Sequence, residues 1–220
     1  MSNINQKKFK LIIFDIDSVL IDSIRYEKLK ENPTLPKPHT SWVHGNQKWA
    51  IYKRPYLEML LAVCYKYSEY VALWTKADKY WLNNVVNHVL PNNCPLLFKW
   101  TYKEADEYKR LSKVWDTPQF KDLNINETNT FIVEDTPENC IKNPLNAIIV
   151  PAFLIEHDPH DVTFPLLIDY FLNNILPSDN IQKLQLDTWR LNTIESMMKP
   201  KIKLVREINL AGGKNKKIKK

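Results

Sequence analysis

Two aspartates one residue apart, Asp15 and Asp17, interrupt the apolar run in "LIIFDIDSVLID", which extends from Leu11 to Asp22. Residues 11–14 have the length and β-branched content of an interior strand covered on both faces. An unpaired carboxylate inside such a strand costs several kcal/mol, so the pair belongs where the strand ends, facing a cation or a cationic side chain. In an open parallel sheet, ligands bind just beyond the carboxyl ends of the strands. Taken alone, the pattern also fits an aspartate-rich turn. Two further strand ends shift the balance: Thr75 closes the apolar run 70–74, and Glu134 with Asp135 closes 130–133. All three ends would meet on one edge of a parallel sheet.

Carboxylates from two strands, a hydroxyl and a nearby lysine suit magnesium-dependent phosphoryl transfer, because magnesium takes a few hard oxygen ligands together with substrate phosphate oxygens. An aspartate can itself attack phosphorus, and the acyl phosphate so formed is labile, which divides one hard hydrolysis into two easier displacements. Asp17, two residues on and on the same side of the extended chain, is placed to protonate the leaving oxygen and then to deprotonate the attacking water. Thr75 and a lysine would balance charge on the equatorial oxygens.

The elements needed to position these groups follow from periodicity. After the first strand, residues 22–48 are polar and contain Pro33, Pro36 and Pro38, which predicts a long loop or a small flap over the site. Helices are predicted over 55–67, 77–90, 103–114 and 164–175, with strands at 70–74, 96–100, 130–133 and 147–150. Strands alternating with helices imply an α/β fold, a Rossmann-like parallel sheet with helices on both faces. Ser178 or Asp179 would cap a further helix carrying Ile181, Leu184, Trp189, Leu191 and Ile194.

At 220 residues and 44% hydrophobic content, a single main core is expected. No apolar run approaches the ~20 residues of a membrane span, and the polar, basic first ten residues lack the apolar centre of a signal peptide. Cys64, Cys94 and Cys140 are odd in number and widely separated, as for reduced thiols in the cytoplasm or nucleus. With only Gly45, Gly212 and Gly213, neither a P-loop nor a dinucleotide-binding glycine motif can be written, so side chains and ordinary loops must hold any phosphate. The net charge of +6 is uneven: residues 199–220 carry nine cations against Glu207, leaving 22 cations and 24 acids in the first 198 residues. The tail is thus suited to nucleic acid, an acidic protein or nuclear import, or is simply solvated.

On these motifs the chain resembles the haloacid-dehalogenase superfamily, and within it the RNA polymerase II C-terminal-domain phosphatases and their small, NLI-interacting factor-like relatives. Asp15-Ile16-Asp17-Ser18-Val19 fits that branch's Asp-x-Asp-x-Thr/Val signature, "KRP" at 53–55 opens the next helix, and "LWTKADKYW" stands at the threonine motif with Thr75 as the matching residue. "EYKRLSKV" resembles the segment of the phosphate-binding lysine, with Lys109 in that role and Lys113 as the fallback; "FIVEDTPENCIKNPLNAIIVPAF" resembles the closing block, with Asp135 at the metal ligand and Glu134 as its acidic neighbour. The resemblance spans residues 9–175. It implies a minimal cap, Asp15 as nucleophile, Asp17 as acid and base, and Mg2+ touching Asp15, the Asp17 carbonyl and Asp135. The corresponding layout is a phosphatase domain at 9–176, a C-terminal helix at 177–199 and a basic tail at 200–220. Ser18-Val19 in place of the commoner Glu-Thr, Lys76 in place of a small residue and Glu134-Asp135 in place of Asp-Asn or Asp-Asp depart from the pattern.

A phosphoserine or phosphothreonine protein is the expected substrate. Nucleotides or nucleic-acid 3′-phosphates are the alternative, and an inactive phosphatase-fold binding module is another. His157 and His160 lack a third ligand for a metal, and Cys140 lacks a histidine partner. Trp74, Trp81, Trp100, Trp115 and Trp189 fit apolar faces and are assigned to core packing rather than base stacking. Lys76 is assigned to solvent.

Overall fold

The computed structural model describes residues 8–92 and 94–194. The basic stretch from Lys199 onward therefore lies outside the described residues. Strand β1 (Phe9–Phe14) buries Leu11, Ile12, Ile13 and Phe14 completely, as a strand covered on both faces must.

Residues 22–48, expected as a loop or flap, instead contribute to a separate three-stranded antiparallel sheet. It comprises β2 (Ile21–Arg25), β3 (Thr40–His44) and β4 (Gln47–Lys53) in the order β2-β4-β3, with the one-turn helix α1 (Lys28–Glu31) between β2 and β3. The signal for it lies in Gly45-Asn46: His44 pairs with Gln47, which leaves a two-residue hairpin whose first residue must take positive φ, and Gly45 does so at 63°.

The chain then alternates as predicted. Helix α2 (Leu57–Tyr67) leads into β5 (Ser68–Trp74), and α3 (Lys79–His88), capped by the Asp78 carboxylate, leads into the short β6 (Lys99–Trp100). Two one-turn helices, α4 (Tyr102–Ala105) and α5 (Ser112–Trp115), precede β7 (Thr130–Glu134) and β8 (Ala147–Ile149). Helix α6 (Thr163–Tyr170) continues as a wider π-type turn at Phe171–Ile175. The five strands of the main sheet run parallel in the order β6-β5-β1-β7-β8, which places β1 at the centre. The alternation of β1 divides the core. Ile12 and Phe14 join α2, α3 and α6 on one face, while Leu11 and Ile13 join Trp74, Ala105, Leu111 and Val114 on the other.

The expected single helix over 103–114 is broken. Asp106 takes φ 48°, and the segment after it bonds to another part of the chain: the Lys109 N–H donates to the Asn139 carbonyl at 2.9 Å and the Leu111 N–H to Asn143 Oδ1 at 3.1 Å. Those bonds replace the helical ladder the periodicity predicted. The helix predicted from Ser178 also differs. Ile181–Lys183 and Leu186–Thr188 form 3-10 turns, and helical backbone begins only at Trp189, within residues 189–194. Ile181, Leu186 and Trp189 are buried there, Ile181 N–H bonds to the Thr128 carbonyl, and the Trp189 indole donates to the Ile149 carbonyl at 2.9 Å, so tertiary anchors override helical propensity. The remainder of the expected helix to residue 199 lies outside the described residues.

Arg54, fully buried, ties the turn after β1 to the C-terminal part of the domain. It grips Asp161 through two bonds of 2.9 Å, and also donates to the carbonyls of Val19 at 3.2 Å and Pro151 at 2.8 Å and to the Thr163 hydroxyl at 3.0 Å. Phe153 and Phe164 flank its guanidinium. Burial works against charge on Asp161, but Arg54 and the Thr163 groups outweigh it and hold the carboxyl below its ordinary value. The stability it contributes is present above pH 3.8 and lost as pH falls through the lower folded value. Removing one partner leaves a buried charge unpaired. Arg54→Ala is therefore expected to cost about 3–5 kcal/mol, read as a lowered denaturant midpoint with an unchanged slope.

Candidate active site

The polar strand ends converge on the same edge of the main sheet. Asp15 still belongs to the ladder through its N–H to the Val133 carbonyl at 3.0 Å, and Thr75 N–H likewise meets the Trp100 carbonyl at 3.0 Å. Beyond Asp15 the chain turns tightly, with the Ile16 carbonyl accepting from Leu20 and Ile21 and Ser18 held at φ 58°, a left-handed geometry that costs a non-glycine residue roughly 1 kcal/mol. The turn brings Asp17 back over the strand end. Asp15, Asp17, Thr75, Lys109 and Asp135 then line one cavity of about 320 Å3, together with Thr136 and Asn139.

Lys109 is the centre of this arrangement. Its ammonium is fully buried and donates to Asp15 Oδ1 and to Glu134 Oε2, each at 2.6 Å. Burial works to remove its proton, but Asp15 and Glu134 outweigh that and raise its pKa, so it stays charged. The other oxygen of Glu134 accepts from the Thr136 N–H and the Asn139 amide, both at 3.2 Å. Glu134 is thus occupied in holding the lysine, whereas Asp135, half-buried, lines the cavity. Lys113, the fallback for that lysine, donates instead to the Glu104 carbonyl and pairs with Asp106. Lys76 is exposed, with its ammonium on the Glu107 carbonyl at 2.9 Å, although it lines the cavity's outer wall.

Carboxyl groups are in excess. Asp15, Asp17, Glu134 and Asp135 face one buried ammonium, and burial raises the carboxyl pKa of Asp15, with Glu134 and Asp17 adding to the effect and Lys109 opposing it. Burial likewise raises Asp17, against the hydrogen bonds from Trp81 and Thr75. Asp135 is pushed up to about 6 by burial and by Glu134. One oxygen from each of Asp15, Glu134 and Asp135 lies within 4.8 Å of the others. A hard divalent cation fits this all-oxygen, over-charged donor set, and without one a phosphate dianion would meet net repulsion.

Three contributors lie inside the motif segments, where the sequence assigns them no role at the site. The Trp81 indole, assigned to core packing, donates to Asp17 Oδ1 at 2.9 Å; Asn139 supports both Glu134 and the Lys109 backbone; Asn143 fixes the neighbouring Leu111. Nothing in the local pattern marks their partners, which lie 64, 5 and 32 residues away. Cys140 is buried and its thiol is raised to about 12 by burial, an inert state.

A central parallel sheet with paired carboxylates just past the end of its middle strand, and a small antiparallel insert after them, resembles a haloacid-dehalogenase-type phosphatase fold. The chain belongs to the NLI interacting factor-like phosphatase family, whose model matches residues 10–182. Among solved structures it is similar to fission yeast Fcp1, an RNA polymerase II C-terminal-domain phosphatase, as the R271A variant bound to beryllium fluoride. That match has a TM-score of 0.51 at 14% identity over 93% of this chain and 55% of that one. A second structure of Fcp1, described as an essential RNA polymerase II C-terminal-domain phosphatase, gives 0.50 at 15% identity over 97% and 56%. The chain thus spans about half the length of either solved chain. No curated protein matches it in sequence.

Millimolar magnesium is expected to raise the thermal midpoint by roughly 2–4 °C, the size of a ~1 kcal/mol binding contribution in a domain of this length. Asp135→Asn should abolish that shift. Because a carboxyl raised to about 6 costs stability once ionised, the metal-free wild type should lose stability relative to Asp135→Asn as pH rises from 4 through 6.

Proposed function

We propose that the protein is a magnesium-dependent phosphatase that forms an aspartyl-phosphate on Asp15 and acts on phosphoserine or phosphothreonine in protein substrates. The observation that carries this reading is the convergence of Asp15, Asp17, Thr75, Lys109 and Asp135 on one cavity at the carboxyl edge of the sheet. Asp15, Asp135 and the Asp17 carbonyl would hold Mg2+, with Glu134 behind them. The bound ion would keep Asp15 ionised and offset charge on the phosphoryl oxygens.

The remaining work falls to the chain's own side chains. Asp15 attacks phosphorus as a carboxylate, and Asp17, whose carboxyl pKa burial raises, protonates the departing oxygen and later deprotonates water. Lys109 and Thr75 receive the equatorial oxygens, Lys109 exchanging part of its contact with Asp15 for the phosphate. The open cavity and the phosphatases among its relatives favour a phosphorylated side chain on a protein, and the cationic stretch 199–220 suits an anionic partner of that substrate.

The test is turnover of a phosphopeptide panel beside nucleotides and 3′-phosphorylated oligonucleotides, with and without magnesium, for wild type and Asp15→Asn. Phosphopeptide hydrolysis should need magnesium and fall by roughly 10³-fold or more in Asp15→Asn. Preference for the nucleotides would move the substrate class to nucleic acid, and no magnesium-dependent turnover of any substrate would make the chain a binding module.

A further inference from the structure

The hydrogen bond from Trp81 to Asp17 is in an unusual setting. Trp81 is the third residue of α3 and is buried, and its indole N–H donates to Asp17 Oδ1 at 2.9 Å. An indole N–H can only donate, so Oδ1 is committed as an acceptor. The other oxygen, Oδ2, accepts only a 3.5 Å contact from the Thr75 hydroxyl, at the long limit for a hydrogen bond.

The indole is itself held in place. The Trp81 backbone N–H donates to Asp78 Oδ1 at 2.8 Å, and the second oxygen of Asp78 meets His44 Nε2 at 2.8 Å. Trp42, His44 and Trp49, all from the three-stranded insert, stand edge-on to the indole with ring centroids at 5.1, 5.4 and 5.8 Å. The inserted sheet thereby determines where the indole N–H points.

We propose that Trp81 is a positioning residue for the acid and base of the reaction: it fixes the rotamer of the Asp17 carboxyl and reserves Oδ2 as the oxygen that carries the proton. The inference rests on Asp17 being that acid and base. In the first transfer the bond from Asp15 to phosphorus forms, the bond from phosphorus to the leaving oxygen breaks, and the proton on Oδ2 passes to that oxygen. Asp17 is then a carboxylate, steadied at Oδ1 by the indole. In the second, water oxygen bonds to phosphorus, its proton returns to Oδ2, and the bond to Asp15 breaks. Trp81 touches no reacting atom and acts only through Asp17.

The readout is leaving-group dependence, which a general loss of structure would not produce. A p-nitrophenolate leaves without help, whereas an alkoxide such as a serine side chain needs a proton. The value of kcat/KM reports the first transfer. Its ratio for p-nitrophenyl phosphate over an alkyl phosphate should rise roughly 10-fold or more in Trp81→Phe, which keeps the aromatic wall and deletes the N–H. In Asp17→Asn the ratio should rise further. A rise in Asp17→Asn with none in Trp81→Phe overturns the inference and leaves the acid assignment standing. No rise in either overturns both.

A second measurement does not depend on how Trp81→Phe folds. Among the seven tryptophans, one indole N–H resonance should shift strongly between wild type and Asp17→Asn. Seven unmoved resonances would overturn the proposal.

Discussion

The site depends on one ammonium held between two carboxylates. Lys109 sits without solvent between Asp15, at the end of β1, and Glu134, at the end of β7, at 2.6 Å from each. Taking any one of these charges out of water alone would be prohibitive, and mutual attraction makes burial tolerable only with the three in place. The ammonium consequently fixes the gap between the two strand ends, and it presents one face of Asp15 to the cavity. Two acids flank it while Asp17 and Asp135 stand nearby, so four carboxyl groups share the site with one ammonium.

The two sheets divide the labour. The parallel sheet supplies Asp15, Thr75 and Asp135 from strand ends whose relative positions are set by backbone ladders. The antiparallel insert supplies none of those residues, yet its Trp42, His44 and Trp49 enclose the indole that contacts Asp17. Arg54, the residue directly after β4, ties the turn after β1 through the Val19 carbonyl to Asp161 ahead of α6.

What could be read from the sequence was whatever one element states by itself. The apolar runs at 11–14, 70–74 and 130–133 declare buried strands, and a carboxylate or hydroxyl placed at the end of each is costly to bury unless it meets a partner there. The parallel sheet and the convergence of Asp15, Asp17, Thr75 and Asp135 followed from that cost. Features that failed were decided by partners distant in sequence. Residues 103–114 have helical periodicity, but Asn139 holds Lys109 and Asn143 holds the Leu111 N–H, so the segment between α4 and α5 is not helical. The prolines at 33, 36 and 38 masked the strands on either side, and only the Gly45-Asn46 hairpin announced the insert. Trp81 resembles any other core aromatic until its N–H is traced to Asp17.

The broken helix also bears on the order of assembly. Lys109 lies 94 residues from Asp15 but 25 from Glu134, and its own backbone is fastened to Asn139, just past β7. A growing chain that has emerged only as far as residue 129 has Asp15 and Lys109 but lacks Glu134 and Asn139, the groups that seat the lysine beside the aspartate. The contact of the ammonium with both carboxylates therefore requires the fourth strand of the main sheet in chain order to be docked against the first.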